Sequence, residues 1–395
     1  MLRRTIPVLA LLFFAFTAQA ADKPLKVFLL VGQSNMQGHA ATRTLEHIGM
    51  DPATRPMLDA IQTSDGTAKV HEKVWITYLS AGGEKKGQLT TGYGANNDKI
   101  GPELTFGIYM QQMLGEPILI IKTAWGGKSI HTDFRPPSAG PYKFNESQLA
   151  NFEKQNKDLA EIQKAKEAAT GFYYRQMLEH VQKTLKDIES VYPDYDANQG
   201  YELSGFVWFQ GWNDMVDRGV YPKRDQSGGY DAYSEVLGHF IRDVRKDLNA
   251  PKLPFVIGVM GAGGPVAKYL PDQKRYSGIH QNFRDAMAAP AKSSEFKGNV
   301  AAVLTENYWD MELTVLRDRE NKLKQVAKKM ASEGEIAKSE ERAQVAAARE
   351  KEFTARELKV LQTAVSNAEY HYLGCGKIMA GIGKGFAEAM HKLMQ

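Results

Sequence analysis

Four segments of this chain carry residues suited to acyl transfer, each beside an apolar run or a helical stretch. In Val27-Phe28-Leu29-Leu30-Val31-Gly32-Gln33-Ser34-Asn35-Met36-Gln37-Gly38 a serine follows closely on a strand-like stretch. Functional groups of open α/β sheets collect beyond the carboxyl ends of the strands, so Ser34 can have its hydroxyl exposed and its own N–H free. Gly32 and Gly38 permit a tight turn on either side. Taken by itself, such a serine reads as a helix N-cap. A second apolar run, Ile120-Ile121-Lys122-Thr123-Ala124-Trp125, leads into Gly126-Gly127. Backbone N–H groups in a glycine turn can face an oxyanion without side-chain obstruction, although a plain loop has the same composition.

A third run, Phe206-Val207-Trp208-Phe209-Gln210-Gly211-Trp212-Asn213-Asp214, delivers an asparagine. A fixed Asn213 side chain can donate to a developing oxyanion, a contribution of about 3 kcal/mol, while Asn-Asp after a strand is also a turn or cap signal. Fourth, Asn367-Ala368-Glu369-Tyr370-His371-Tyr372-Leu373-Gly374 sets His371 ahead of a last helical stretch from about Lys377 to Met394. Serine is a poor nucleophile until a base takes its proton. Each signal is weak singly. Together they supply nucleophile, oxyanion donors and base.

The elements that must position these groups alternate. Apolar runs at Leu25 to Val31, Pro117 to Thr123, Gly205 to Phe209, Phe255 to Met260 and Asn299 to Leu304, with a weaker one at Val74 to Leu79, predict buried parallel strands. Amphipathic stretches at Glu103 to Leu114, Gly171 to Val191 and Tyr233 to Leu248 predict helices between them. Such alternation predicts an α/β sandwich with a mostly parallel sheet. Asn145 to Ala169 is polar and Lys/Glu-rich, a surface helix. Residues 311–366 are dense in charge, with apolar residues at helical spacing interrupted at Gly334, which predicts a charged helical hairpin inserted ahead of His371.

Gly32-Gln33-Ser34-Asn35-Met36-x-Gly38 resembles the first block of the SGNH hydrolases of the sialate O-acetylesterase type, close to carbohydrate esterase family six. Ile100-Gly101-Pro102-Glu103, Ala124-Trp125-Gly126-Gly127, Trp208-Phe209-Gln210-Gly211-Trp212-Asn213 and His371-Tyr372-Leu373-Gly374 resemble later blocks. The resemblance implies a three-layer α/β/α fold with a flavodoxin-like sheet and an acyl-serine mechanism without metal or other cofactor. Ser34 would attack an acetyl carbonyl, and His371 would take its proton. The N–H groups of Ser34 and Gly127 and the Asn213 side chain would hold the oxyanion. Gln33, Gln210 and Trp212 are expected to contact substrate. Two positions depart from the pattern. The superfamily often has Asp three residues before its His, where this chain has Ala368. Asp310, Glu306, Asp214 and Glu369 are candidates to orient His371 instead, as is a backbone carbonyl. Asp310 is the first choice because it follows a strand end. Trp212 replaces the family's Glu.

Composition bounds the rest. The 395 residues, 43% hydrophobic and 24% charged, suit a soluble globular chain with a large core. With 50 basic against 46 acidic residues and no basic run of five, nucleic acid is not an expected partner. Cys375 is the one cysteine, so no intrachain disulfide forms. Arg3 and Arg4, the apolar stretch Val8 to Phe16 and Ala18-Gln19-Ala20 form a signal-peptide pattern over residues 1–20. The mature chain, 21–395, is then one hydrolase domain, periplasmic or secreted, without a membrane span, acting on acetylated polysaccharide or sialic acid. Trp125, Trp208, Phe209, Trp212, Tyr308 and Trp309 near the four segments suit sugar rings. Other readings are a lipase- or thioesterase-like hydrolase, a carbohydrate-binding protein that kept the fold without catalysis, and a scaffold acting through its charged hairpin.

Overall fold

The computed structural model describes residues 23–395, so the expected signal peptide lies outside the described residues. In chain order the strands are β1 (Leu25–Gly32), β2 (Ala40–Ala41), β3 (His71–Ser80), β4 (Gly83–Leu89), β5 (Lys99–Ile100), β6 (Ile118–Ala124), β7 (Tyr201–Phe209), β8 (Phe255–Val259) and β9 (Val300–Leu304). Seven form one sheet in the order β4-β3-β6-β1-β7-β8-β9, and β2 pairs with β5. Every pairing in the large sheet is parallel except that of edge strand β4 with β3. The chain builds leftward from β1 through β3 and β6, then crosses to build β7, β8 and β9 on the right. It differs from the 2-1-3-4-5 order of flavodoxin in that three strands, β3, β4 and β6, rather than one precede the change of side. The change falls at β1, which makes the carboxyl end of β1 the switch point where α/β sheets bind ligands.

Helices cover both faces, giving three layers. Glu103–Leu114 and Gly376–Met394 pack together on one side, while Phe172–Lys186, Asp231–Asp247 and Ser277–Lys292 cover the other. Burial on both faces explains why β1 and β6 read as unbroken apolar runs. On β7 the period of two is visible in the contacts: Trp208 meets Phe240 and Phe134, whereas Phe209 meets Phe386 of the last helix. Strand β4, Gly-Glu-Lys-Lys-Gly-Gln-Leu, is an edge strand and correspondingly polar. That polarity hid it from the apolar-run reading.

The charged stretch ahead of His371 is three helices rather than a hairpin: Met311–Ser332, Glu341–Glu352 and Ala355–Thr363. Asp310 caps the first, accepting from the Leu313 N–H at 3.0 Å. Arg319 braces all three, meeting Glu357 at 2.7 Å and the Glu352 carbonyl at 2.6 Å. Buried Leu313, Leu316 and Val360 anchor the unit, and the middle helix buries none of its side chains.

Lys122 on β6 and Glu103 at the start of its helix are fully buried, with Nζ 2.6 Å from Oε2. Lys122 also donates to the carbonyls of Gln37 and Tyr93 at 2.9 and 2.8 Å, and Glu103 accepts the Gly101 N–H at 2.8 Å. Burial pushes the lysine down and the carboxyl up, and each charge opposes that drift in the other. Removing one member strands the other in a dry interior. Lys122→Met is therefore expected to lower stability by about 3–5 kcal/mol, and the double change to Lys122→Met with Glu103→Leu to recover much of it. Urea unfolding midpoints of the three proteins test this.

Candidate active site

The ends of three adjacent strands come into register at one point. Gly32 pairs with Ala124 of β6 on one side and Phe209 of β7 on the other. The Trp125 N–H reaches the Gly32 carbonyl at 3.3 Å, and the Gln33 N–H reaches that of Phe209 at 3.3 Å. A side chain at Gly32 would run into the Phe209 carbonyl, so the close approach requires glycine. Beyond Gly32 the chain turns into a single helical turn, Ser34–Gln37, whose N-cap is Gln33. Ser34 is nearly buried, and its hydroxyl donates to Gln33 Oε1, which also accepts the Asn35 N–H at 3.2 Å.

The glycine turn lies against this serine. A Cβ on Gly126 would sit 3.1 Å from Gln37 Oε1 and 4.0 Å from Ser34 Cβ, and Gly127 takes the left-handed φ of 76° with open space beside it. Asn213 stands in the first turn of Trp212–Val216, half-buried, and makes no side-chain hydrogen bond to the described residues. Asp214 locks the two segments together. Its buried carboxylate accepts the N–H groups of Ile130 and His131 at 3.0 and 3.3 Å, Gln210 Nε2 at 2.6 Å and the Tyr221 hydroxyl at 3.1 Å.

His371 comes from the turn Glu369–Gly374, which packs against the Ser34 turn and β2. Its Nδ1 lies 3.0 Å from Asn367 Oδ1. The Ala368 N–H donates to that same oxygen at 2.8 Å, which fixes the amide orientation. An amide oxygen only accepts, so Nδ1 carries the proton and neutral His371 presents a bare Nε2. Burial, with Lys99 nearby, brings the imidazole down to about 4, so it is neutral through the physiological range. Tyr372 and Leu373 follow with φ of 52° and 61°, a left-handed pair that costs about 1–2 kcal/mol per residue. Tyr372 holds them there. Its hydroxyl accepts the Gly261 N–H at 2.8 Å and donates to Thr305 Oγ1 at 2.6 Å, which in turn donates to the Val259 carbonyl. Ser366 ties the turn to β2 through the Ala41 N–H and the Gly374 carbonyl.

Several expected residues have other partners. Asp310, the first choice to orient His371, instead meets His47 Nε2 at 2.8 Å and Lys377 at 3.5 Å while capping its helix. Those contacts hold it low, to about 2, and commit it away from the site. Glu306 pairs with Arg284, Asp214 serves the glycine loop, and Glu369 accepts from Gln273 at 3.2 Å. Gln33 and Gln210, expected to touch substrate, have no exposed surface. Gln210 donates to Asp214 and to the Lys128 carbonyl, so its amide is spent on the scaffold. Of the six aromatics, Trp125, Trp208, Phe209 and Trp309 are core, and Trp212 and Tyr308 are partly buried. The partner of His371 is thus an amide, Asn367, and not one of the carboxylates.

Trp212 is half-buried and faces Tyr370, ring centroids 5.7 Å apart, and Tyr370 meets His371 edge-on at 4.4 Å. Both line a cavity of about 480 Å³ with Tyr269, Tyr276, Arg218, Arg224 and Arg275. None of these arginines forms an ion pair with a described residue. Among the described residues no group of three or more His, Cys, Asp or Glu is arranged to hold a metal ion.

The layered sheet with Ser34 at its switch point is a three-layer α/β sandwich. A family model described as "Carbohydrate esterase, sialic acid-specific acetylesterase" matches residues 24–294, and the chain belongs to that family. No curated protein sequence matches it significantly. Among solved structures it is similar to a protein from Arabidopsis thaliana, at 17% identity and a TM-score of 0.38, over 71% of this chain and 86% of that one. It is also similar to a carbohydrate acetylesterase from Xanthomonas citri, at 14% identity and a TM-score of 0.38, over 72% of this chain and 51% of that one.

Tyr372→Phe leaves the Gly261 N–H buried without an acceptor. It is expected to lower stability by about 1–3 kcal/mol, read from the unfolding midpoint.

Proposed function

We propose that the chain is an exported O-acetylesterase that removes acetyl groups from carbohydrate through an acyl-Ser34 intermediate. The observation that carries this reading is a serine at the end of the central strand, on a turn that packs against the turn bearing a neutral histidine whose Nδ1 proton is tied to Asn367. Ser34 Oγ turns from Gln33 towards Nε2, gives up its proton to His371 and attacks the acetyl carbonyl. The N–H groups of Ser34 and Gly127 and the Asn213 amide receive the oxyanion. Collapse breaks the bond to the sugar oxygen, which takes the proton back from His371. Water then attacks the acyl carbonyl with His371 again as base, releasing acetate and restoring Ser34. Asn367 takes the orienting role often held by Asp. A neutral amide fixes the tautomer while lending the developing imidazolium less charge than a carboxylate, as in Cys-His-Asn proteases. The pattern over residues 1–20 supports export to the periplasm or medium.

The cavity beside His371 suits the sugar. Trp212 and Tyr370 offer ring faces, and Arg218, Arg224 and Arg275 suit the carboxylate of an acidic sugar such as the sialic acid in the family's description.

Ser34→Ala and His371→Ala are expected to cut hydrolysis of p-nitrophenyl acetate and of O-acetylated sialic acid at least 10³-fold. Asn367→Ala should lower kcat about 10–100-fold, and Asp310→Asn should leave kcat/KM within threefold. Full activity in Ser34→Ala would sink the mechanism. Arg275→Ala with Arg218→Ala is expected to raise KM for O-acetylated sialic acid about tenfold while sparing that for p-nitrophenyl acetate. Equal KM values for the acidic substrate would remove the arginines from recognition.

A further inference from the structure

A second histidine lies flat on the first. The rings of His39 and His371 are stacked with centroids 4.0 Å apart and planes 2° from parallel. His39 Nδ1 lies 3.3 Å from Lys99 Nζ. An ammonium only donates, so His39 Nδ1 accepts and its ring proton sits on Nε2. The arrangement is built by the small sheet. Gly38 turns the chain with φ of 87°, His39 immediately precedes β2, and Lys99 opens β5, where it pairs with Ala41. Ser366 Oγ bonds the Ala41 N–H on this sheet and the Gly374 carbonyl on the His371 turn. Base, floor and lysine are thus fastened to one two-stranded ribbon.

We propose that His39 is a positioning residue for the catalytic base: anchored by Lys99, it is the flat floor on which His371 lies, and the His39–Lys99 pair sets the acid limit of the esterase. This rests on the reading of His371 as base. The groups facing the two rings are few. Lys99 is the cation nearest the stack. Lys122 acts on His39 from inside the sheet but is neutralised by Glu103. Tyr370 meets His371 by its edge, and Glu369, next in the chain, is engaged by Gln273. Among the described residues no carboxylate is hydrogen-bonded to either imidazole, so a proton added to His371 meets Lys99 without a counter-charge. Burial and Lys99 act in the same direction on His371, and burial, His371 and Lys99 hold His39 lower still, at about 3.

The sign is fixed. A base held at about 4 keeps its activity in acid and loses it only as pH falls through that value. The test is kcat and KM for p-nitrophenyl acetate from pH 3.5 to 8 in the full chain, with Lys99→Met, His39→Phe and His39→Ala. The wild-type acid limb is expected near pH 4. Lys99→Met should raise it by about one unit, so that the rate at pH 4.5 relative to pH 7.5 falls about threefold. His39→Phe keeps a ring beneath His371 but releases Lys99, and should move the limb with little loss of plateau kcat. His39→Ala removes the floor and should lower plateau kcat about tenfold at unchanged KM. A limb and plateau identical to wild type in all three would overturn the proposal. If the protein shows no ester hydrolysis, the reading of the site fails instead. Titration of the His371 ring resonance by NMR, assigned with His371→Gln, then still tests the His39–Lys99 effect. No movement of the midpoint in Lys99→Met, a change at a half-exposed side chain, would overturn it there.

Discussion

The buried pair of Lys122 and Glu103 is the contact on which the site's geometry depends. An ammonium taken out of water survives only where other groups replace its hydration. Lys122 does so with one carboxylate and two carbonyls, and one of those carbonyls, Gln37, ends the turn that carries Ser34. The other, Tyr93, belongs to the loop that leads into β5, and Glu103 returns to the Gly101 N–H beside Gly38. A single charge thereby holds the serine turn, the β2–β5 ribbon and the helix Glu103–Leu114 against β6. An apolar residue could fill the same volume, but it would leave the Gln37 and Tyr93 carbonyls without this donor. The pair is better understood as fixing position than as adding stability.

The same economy recurs around the oxyanion side. Asp214 spends its carboxylate on backbone N–H groups of the loop beyond Gly127, on Gln210 and on Tyr221, and burial pushes it up against those hydrogen bonds. Trp212 and Asn213 immediately precede it in the chain. Holding Asp214 to the glycine loop therefore fixes the distance between two walls of the site. A carboxylate that sequence reasoning weighed as a partner for His371 is instead the clasp between β6 and β7.

On the base side the groups in contact with the His371 ring are neutral. His371 is held by an amide, a stacked imidazole and a strained turn pinned through Tyr372. The inserted helices end three residues before Ser366, which stitches that turn to β2. Asp310 begins them and binds His47 and Lys377, so the insertion is docked at both ends on segments that flank the site.

The sequence by itself determined the layered fold and the chain positions of Ser34, Gly126-Gly127, Asn213 and His371. Strands buried on both faces must be apolar throughout, and a parallel sheet must put its loops at the carboxyl ends, so both facts are written in local composition. The polar edge strand β4 and the two-residue strands β2 and β5 left no such mark. Tertiary structure alone decided which polar side chains meet. Asp310 and Asn367 are both plausible partners for a histidine on paper, and separation in the chain does not say which one lies 3.0 Å from Nδ1. The same holds for His39, 332 positions before His371 in the chain and stacked upon it only because β2 and the Gly374 turn share Ser366. Hydrogen bonds and ring stacking act over a few ångströms, and only the folded chain sets those distances.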